Sequence, residues 1–170
     1  LKFFFKHVYF FPKREIASYD YITESKDLPY ARIDILNKII LEEKKTEPIV
    51  IVTTIEAVMQ KMITKQELYE NTVDFRIGNS YSIEKLKNIF VMLGYERTEL
   101  VEGRGQFSIR GGIVDVGLSE KVGVRIEFWG EEVDSIRYFN VSTQRSTEML
   151  QTITIFPAHE FITNNINNVC

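Results

Sequence analysis

Cysteine and histidine are almost missing from this sequence of 170 residues. It has one Cys, Cys170 at its last position, and two His, His7 and His159. One Cys excludes an intrachain disulfide framework and a zinc site built from several thiolates. The two His are far apart in the sequence and form no metal-binding motif. We therefore expect no metal site and a reducing, cytoplasmic setting.

Long apolar runs and a basic excess are missing as well. No apolar run reaches the roughly 18 residues that a membrane span needs, so we expect no membrane segment. Lys and Arg total 21 against 24 Asp and Glu, a net charge of −3. This balance argues against a general nucleic-acid coat, because neutralising phosphates takes a basic excess. The chain opens at Leu1 inside the pattern of a folded segment, so we expect a fragment of a longer protein.

The first half of the sequence alternates strand and helix patterns. Residues 8–11 form a short apolar run that Pro12 stops, and residues 49–52 are an unbroken β-branched run. Between them, apolar residues recur at helical spacing after Pro29. Strand, helix and strand in this order predict a parallel α/β unit, which we assign to residues 1–77. Thr53 with Glu56 has capping-box spacing for a further helix.

The second half has the pattern of a small α+β module. A turn at residues 78–80 precedes a helix that Ser82 can cap and Gly94 can end. Short strands with tight glycine turns then follow, so residues 78–157 predict one helix on a mostly antiparallel sheet. The chain would return to the first domain over residues 158–170. The predicted strands cover residues 95–101, 106–110, 113–116, 122–129 and 133–139.

Motifs for catalysis are lacking. No glycine-rich loop is followed by Lys and Ser/Thr at phosphate-loop spacing, and the Gly103 to Gly105 stretch is typical of a hairpin. The sequence around His159 contains no motif that pairs it with a nucleophilic side chain. We therefore expect no enzyme activity and no cofactor in this chain. Five acidic residues lie close together, and we interpret them as a solvated rim; they are Asp115, Glu127, Glu131, Glu132 and Asp134.

Alternation in the predicted sheet singles out three residues. The apolar residues of strands 106–110 and 122–129 share one face, which should pack on the helix. Arg110, Arg125 and Trp129 fall on the opposite, polar face. Arg and Trp are the residue types that most often dominate protein–protein interfaces. A cation–π pair on an ordinary surface is the alternative. Gly111 and Gly112 are predicted to permit a bulge or a positive φ between two strands.

Four ordered blocks of this sequence resemble one known family. They are residues 105–115 (GQFSIRGGIVD), 125–137 (RIEFWGEEVDSIR), 143–146 (TQRS) and 157–160 (PAHE). Together they are similar to the N-terminal region of the bacterial transcription-repair-coupling factor (Mfd) family. The excision-repair protein UvrB shares the first two blocks more loosely. The turn after Asp115 departs from the family pattern, because the sequence reads Val116, Gly117 and Leu118 where Ile or Leu, Phe and Pro are common in turn.

The resemblance implies a fold and a role. It implies a partial, degenerate RecA-like domain (residues 1–77) interrupted by a small α+β domain like the second domain of UvrB (residues 78–157), which binds UvrA. The family displaces stalled RNA polymerase with an ATP- and magnesium-dependent motor on DNA and starts nucleotide excision repair; polymerase, DNA, ATP and magnesium would bind outside this chain. Its UvrA-contacting positions correspond to Arg110, Arg125 and Trp129, where the family usually has Phe at the last. The alternative is a UvrB-type module that contacts DNA directly.

Overall fold

The computed structural model describes residues 5–14, 27–42 and 48–160. The chain forms two compact units, Leu1–Lys65 and Gln66–Cys170. The domain boundaries proposed from the sequence stay predictions, and residues 161–170 lie outside the described part. The strand just before the proposed boundary, Val73–Arg76, pairs with another strand of the second unit.

The first unit is a small parallel α/β unit. Its strands β1 and β2 pair in parallel, with His7 opposite Ile49 and Phe11 opposite Thr53, as the βαβ pattern predicts. The long helix begins two residues before Pro29, which leaves Pro29 in the first turn, where its missing N–H is tolerated. The elements are β1 (His7–Phe11), α1 (Asp27–Glu42), β2 (Ile49–Thr53) and α2 (Ile55–Met59).

The first unit has a small core, and its helix α2 is capped by a different threonine from the one predicted. Phe11, Ile35 and Ala57 form its buried cluster. The capping prediction at Thr53 is wrong, because its hydroxyl donates to the Phe11 carbonyl oxygen at 2.9 Å. Thr54 caps α2 instead, and its side chain accepts from the Ala57 amide. Whether this unit is RecA-like stays a prediction.

The second unit is built on a six-stranded sheet in the order β4-β5-β6-β7-β8-β9. Every neighbouring pair is antiparallel except β4 with β5, which confirms a mostly antiparallel sheet. Strands β3 and β10 form a separate antiparallel pair. The elements are α3 (Lys65–Glu70), β3 (Val73–Arg76), α4 (Ile83–Met92), β4 (Glu96–Arg97), β5 (Gln106–Arg110), β6 (Ile113–Gly117), β7 (Val122–Trp129), β8 (Glu132–Asn140), β9 (Ser146–Leu150) and β10 (Thr152–Ile155).

Helix α4 buries the apolar face of this sheet. The Phe90 ring lies 5.2 Å from the Phe107 ring, and Gly94 ends the helix region with a φ of 85°. Ser82 occupies the N-cap position, but its side chain makes no cap hydrogen bond. The fully buried sheet residues on this face are Phe107, Val114, Val116, Val124, Ile126, Val133 and Ile136.

A loop covers part of the opposite, polar face. The predicted strand 95–101 is mostly wrong, since β4 spans only Glu96–Arg97. Residues 98–105 instead cross the polar face, and Val101 is buried there with Phe139 and Val141. The buried apolar cluster stabilises the loop in this position.

Candidate functional site

A buried carboxylate lies between two arginines on the polar face of the sheet. Asp115 is opposite Ser108 on β5 and opposite Arg125 on β7, so these side chains share one face. The Asp115 side chain is fully buried, at 0% exposure. Its Oδ1 accepts from Arg125 Nε at 2.7 Å. Its Oδ2 accepts from Arg125 Nη2 at 2.8 Å and from Arg110 Nη2 at 2.7 Å.

Arg125 contacts Asp115 along one edge of its guanidinium and the Phe139 ring on one face. Its side chain is 17% exposed, and its guanidinium carbon lies 5.0 Å from the centre of the buried Phe139 ring. Hydrogen bonding to Asp115 raises the pKa of Arg125, against the opposing effect of burial, so it is charged at any physiological pH. The sequence predicts an outward side chain; the structure keeps it on the polar face but turns it onto Asp115.

Arg110 is the more open of the two arginines. Its side chain is 41% exposed. Besides Asp115, its Nη1 donates to the carbonyl oxygen of Glu99 in the covering loop at 3.0 Å. Arg110 borders an open groove of about 560 Å³. The groove is lined by Arg97, Thr98, Glu99, Ser108, Ile109 and Arg110.

Trp129 is a large and highly exposed side chain at the end of the same sheet. It ends β7, opposite Glu132, and is 86% exposed. It lies four positions after Arg125 along the strand, a Cα spacing of about 13 Å. The adjacent Gly130 has a φ of 66° and turns the chain into β8. We call the open part of the polar face that carries Arg110, Arg125 and Trp129 the arginine face.

A second ion pair lies beside Arg125 on the same strands. Glu127 accepts hydrogen bonds from Arg137 and from the Ser135 hydroxyl, the latter at 2.9 Å. Burial alone would raise the pKa of Glu127, but the hydrogen bonds from Ser135 and Arg137 and the charges of Arg137 and Arg125 outweigh it and lower that pKa. Arg125 and Arg137 are directly opposite each other on β7 and β8. The repulsion between the two arginines is offset because Arg125 is paired with Asp115 and Arg137 with Glu127.

The turn between β5 and β6 needs both of its glycines. Gly111 has a φ of 59°, in the left-handed region. A Cβ on Gly112 would lie 2.7 Å from the Phe128 carbonyl oxygen. That oxygen cannot move freely, because the Phe128 amide also donates to the Gly112 carbonyl oxygen at 2.7 Å. The turn thus places the end of β5, with Arg110, close to the end of β7, with Trp129.

One prediction from the sequence needs correction at this site. Asp115 does not belong to a solvated acidic rim, because it is fully buried and paired with two arginines. Ser108 also lies on the polar face and is buried, and its hydroxyl donates to the Glu99 carbonyl oxygen at 2.7 Å. The alternation of Asp115 with apolar Val114 and Val116 indicates the polar face of the sheet, but it gives no sign that the carboxylate is buried there. Nothing in the sequence pattern indicated the covering loop.

Two kinds of feature are absent from the described residues. Over residues 5–14, 27–42 and 48–160, no helix is long and apolar enough to cross a membrane. In the same part of the chain, no group of three or more His, Cys, Asp or Glu side chains is placed to hold a metal ion.

Known proteins match this chain over the site. A family model described as the UvrB interaction domain matches residues 73–161. The transcription-repair-coupling factor of Bacillus subtilis (strain 168) is 36% identical over 159 residues, 92% of this chain and 13% of the relative. Those of Staphylococcus haemolyticus and Haemophilus influenzae are 31% and 29% identical, each over 91% of this chain and 13% of the relative. The resemblance to this family is confirmed, and the chain spans 13% of the length of these relatives.

Proposed function

The chain belongs to the UvrB interaction domain family, and from this premise we propose that it recruits UvrA through the arginine face. The matched residues, 73–161, include all three residues of that face. Arg110 and Arg125 would donate charge-assisted hydrogen bonds to the partner, and Trp129 would fill an apolar pocket. In this role the chain is a binding module and not an enzyme.

The observation that carries the proposal is an exposed Trp beside two arginines on an open sheet face. Trp129 is 86% exposed, so it buries little of its surface when the chain folds. Trp and Arg are enriched among the residues that dominate binding energy when they become buried in an interface. Since Asp115 neutralises one of the two guanidinium charges, the cluster has a formal charge of +1 toward a partner.

A protein partner fits the surrounding charge better than DNA does. Residues 96–137 carry six Lys and Arg against nine Asp and Glu. A surface that follows a nucleic-acid backbone needs a basic groove, with aromatic side chains on which bases stack. In the described part of the chain, this face offers two arginines and no continuous basic groove along which a phosphate backbone could run, and UvrA contact therefore ranks above direct DNA contact.

The remaining part of the proposal concerns the longer protein. We propose that this module is part of a protein that displaces stalled RNA polymerase and starts nucleotide excision repair. The motor that hydrolyses ATP with magnesium, together with the contacts to polymerase and DNA, would lie outside this chain. The support is the similarity to transcription-repair-coupling factors over 92% of the chain.

A titration of purified UvrA with this chain tests the proposal. Wild-type chain should bind saturably, and Arg110→Ala should bind about 30-fold more weakly, the loss of an interface anchor worth roughly 2 kcal/mol. Arg110→Ala is the cleaner arginine variant, because Asp115 keeps both of its hydrogen bonds to Arg125. The control is Val91→Ala, which truncates an exposed side chain on α4.

Each alternative result has a defined meaning. No binding by folded wild-type chain overturns the proposal. An equal loss of UvrA affinity in Arg110→Ala and Val91→Ala would mean that UvrA does not contact the arginine face specifically. Binding to single-stranded DNA that weakens steeply with added salt, at the slope of several phosphate contacts, would favour the DNA-binding alternative.

A further inference from the structure

Asp115 holds both arginines of the arginine face from beneath. Its two oxygens accept three hydrogen bonds from Arg110 and Arg125, at 2.7 to 2.8 Å. The carboxylate lies on the central β6 strand, between β5 and β7, and its side chain has no exposure to solvent. Packing therefore fixes the carboxylate, and the carboxylate in turn fixes the two guanidinium groups.

Each guanidinium has donors left over after these contacts. An arginine carries five N–H donors in a rigid plane. Asp115 takes Nε and one hydrogen of Nη2 from Arg125, and Nη1 has no hydrogen-bond partner in the described part of the chain. Arg110 gives one hydrogen from Nη2 to Asp115 and one from Nη1 to the Glu99 carbonyl oxygen. Because the plane is rigid, fixing one edge of the Arg125 guanidinium aims Nη1 away from Asp115.

We propose that Asp115 is a positioning residue of the arginine face, which orients the guanidinium groups of Arg110 and Arg125 toward carboxylate groups on the partner. The inference rests on the proposed function and adds the chemistry of the contact. Carboxylates suit the remaining donors, since planar guanidinium groups bind them in two-point geometry. Asp115 would act on binding only through the arginines, because it is itself out of a partner's reach.

Orientation before binding affects affinity through side-chain entropy. An unrestrained arginine has many rotamers, and restricting them to one on binding makes the binding free energy less favourable. Here the Asp115 carboxylate fixes an edge of Arg125, and the Phe139 ring covers a face of its guanidinium. The arginines are thus ordered in the unbound chain.

The first arm of the test is Asp115→Asn in the UvrA titration. This change keeps the side-chain volume, removes the charge and turns one acceptor into a donor, so the arginines lose their common anchor. We expect UvrA affinity to fall about 10-fold. The matched control is Val116→Ala, on the same strand but buried on the opposite face. It should lower stability and leave the affinity of the folded chain within about twofold.

The second arm separates positioning from a general structural role. If Asp115 acts through Arg125, then Asp115→Asn should cost much less in an Arg125→Ala background than in wild type, about threefold or less. Independent effects would multiply instead. The ¹⁵N–¹H resonance of Arg125 Nε gives a readout without UvrA. It should be sharp in wild type and broadened by exchange in Asp115→Asn.

The outcomes distinguish this inference from the proposed function. Wild-type binding with unchanged affinity in folded Asp115→Asn overturns the inference and leaves the proposed function intact. Multiplicative losses in the double variant also overturn it. No binding by wild type overturns the proposed function and this inference with it. If Asp115→Asn does not fold, Asp115→Glu replaces it; this variant keeps the charge but displaces the carboxylate, and the same 10-fold loss is expected.

Discussion

Arg125 binds the buried Asp115 side-on, with Nε 2.7 Å from Oδ1 and Nη2 2.8 Å from Oδ2. The arginine that the sequence assigns to an interface is therefore also part of the protein's own structure. We therefore expect any substitution of Arg125 to change folding stability as well as the proposed binding. This dual role decides which variants can test binding cleanly.

Arg125→Ala should destabilise the folded chain. It leaves the buried Asp115 with one partner, Arg110, and breaking a buried ion pair is costly, so we expect a loss of about 2–3 kcal/mol in the free energy of unfolding. Urea denaturation monitored by circular dichroism measures it, with Arg76→Ala, on an exposed strand position, as the control. An unchanged denaturation midpoint would contradict the ion-pair geometry.

Asp115→Asn should partly restore the stability of Arg125→Ala. Asp115→Asn removes the penalty of burying a carboxylate that has lost one of its two arginine partners, so the double variant should be about 1 kcal/mol more stable than Arg125→Ala alone. The same urea denaturation measures the difference. A double variant less stable than either single variant would show that Asp115 stabilises the fold by other contacts.

Gly111 and Gly112 should matter for folding and not for contact. Gly111→Ala should cost about 1–2 kcal/mol, because its φ of 59° is unfavourable for an L residue with a Cβ. Gly111→Asn should cost less, since Asn tolerates this conformation better. Gly112→Ala should destabilise through the close approach to the Phe128 carbonyl oxygen. Thermal unfolding measures all three, and UvrA affinity per folded molecule should stay near that of wild type.

The lowered pKa of Glu127 predicts a pH dependence of stability. A carboxyl group whose pKa is lower in the folded than in the unfolded state stabilises the fold when it is ionised, above its unfolded pKa near 4.3. That stabilisation is lost as the pH falls through the folded pKa, below the usual glutamate range. The free energy of unfolding of wild type should therefore fall more steeply between about pH 5 and pH 3 than that of Glu127→Gln. Parallel curves for the two proteins would refute the assignment.

Much of the second unit could be predicted from alternation. The strands with strict two-residue periodicity, such as the one carrying Val124, Ile126 and Phe128, were predicted with the correct face toward the helix. The helix ending at Gly94 follows from one apolar stripe and one left-handed glycine. These signals are local, so a sequence is enough to find them.

What could not be predicted depends on contacts between distant segments. The stretch around Val101 resembles a strand in composition, yet it crosses the polar face because Phe139 and Val141, far along the chain, cover its side chain. Asp115 looks like a surface residue until two arginines from neighbouring strands are seen to surround it. The choice of Thr54 over Thr53 as a cap depends on the hydrogen bond from Thr53 to β1.

The most direct test of the central claim is a UvrA titration with Trp129→Ala. Trp129 is 86% exposed, so the free energy of unfolding of the variant should lie within about 0.5 kcal/mol of the wild-type value. Any change in affinity then reports contact alone. We predict binding about 30-fold weaker than wild type, with Val91→Ala unchanged. Wild-type affinity in folded Trp129→Ala would contradict the claim that UvrA docks on the arginine face.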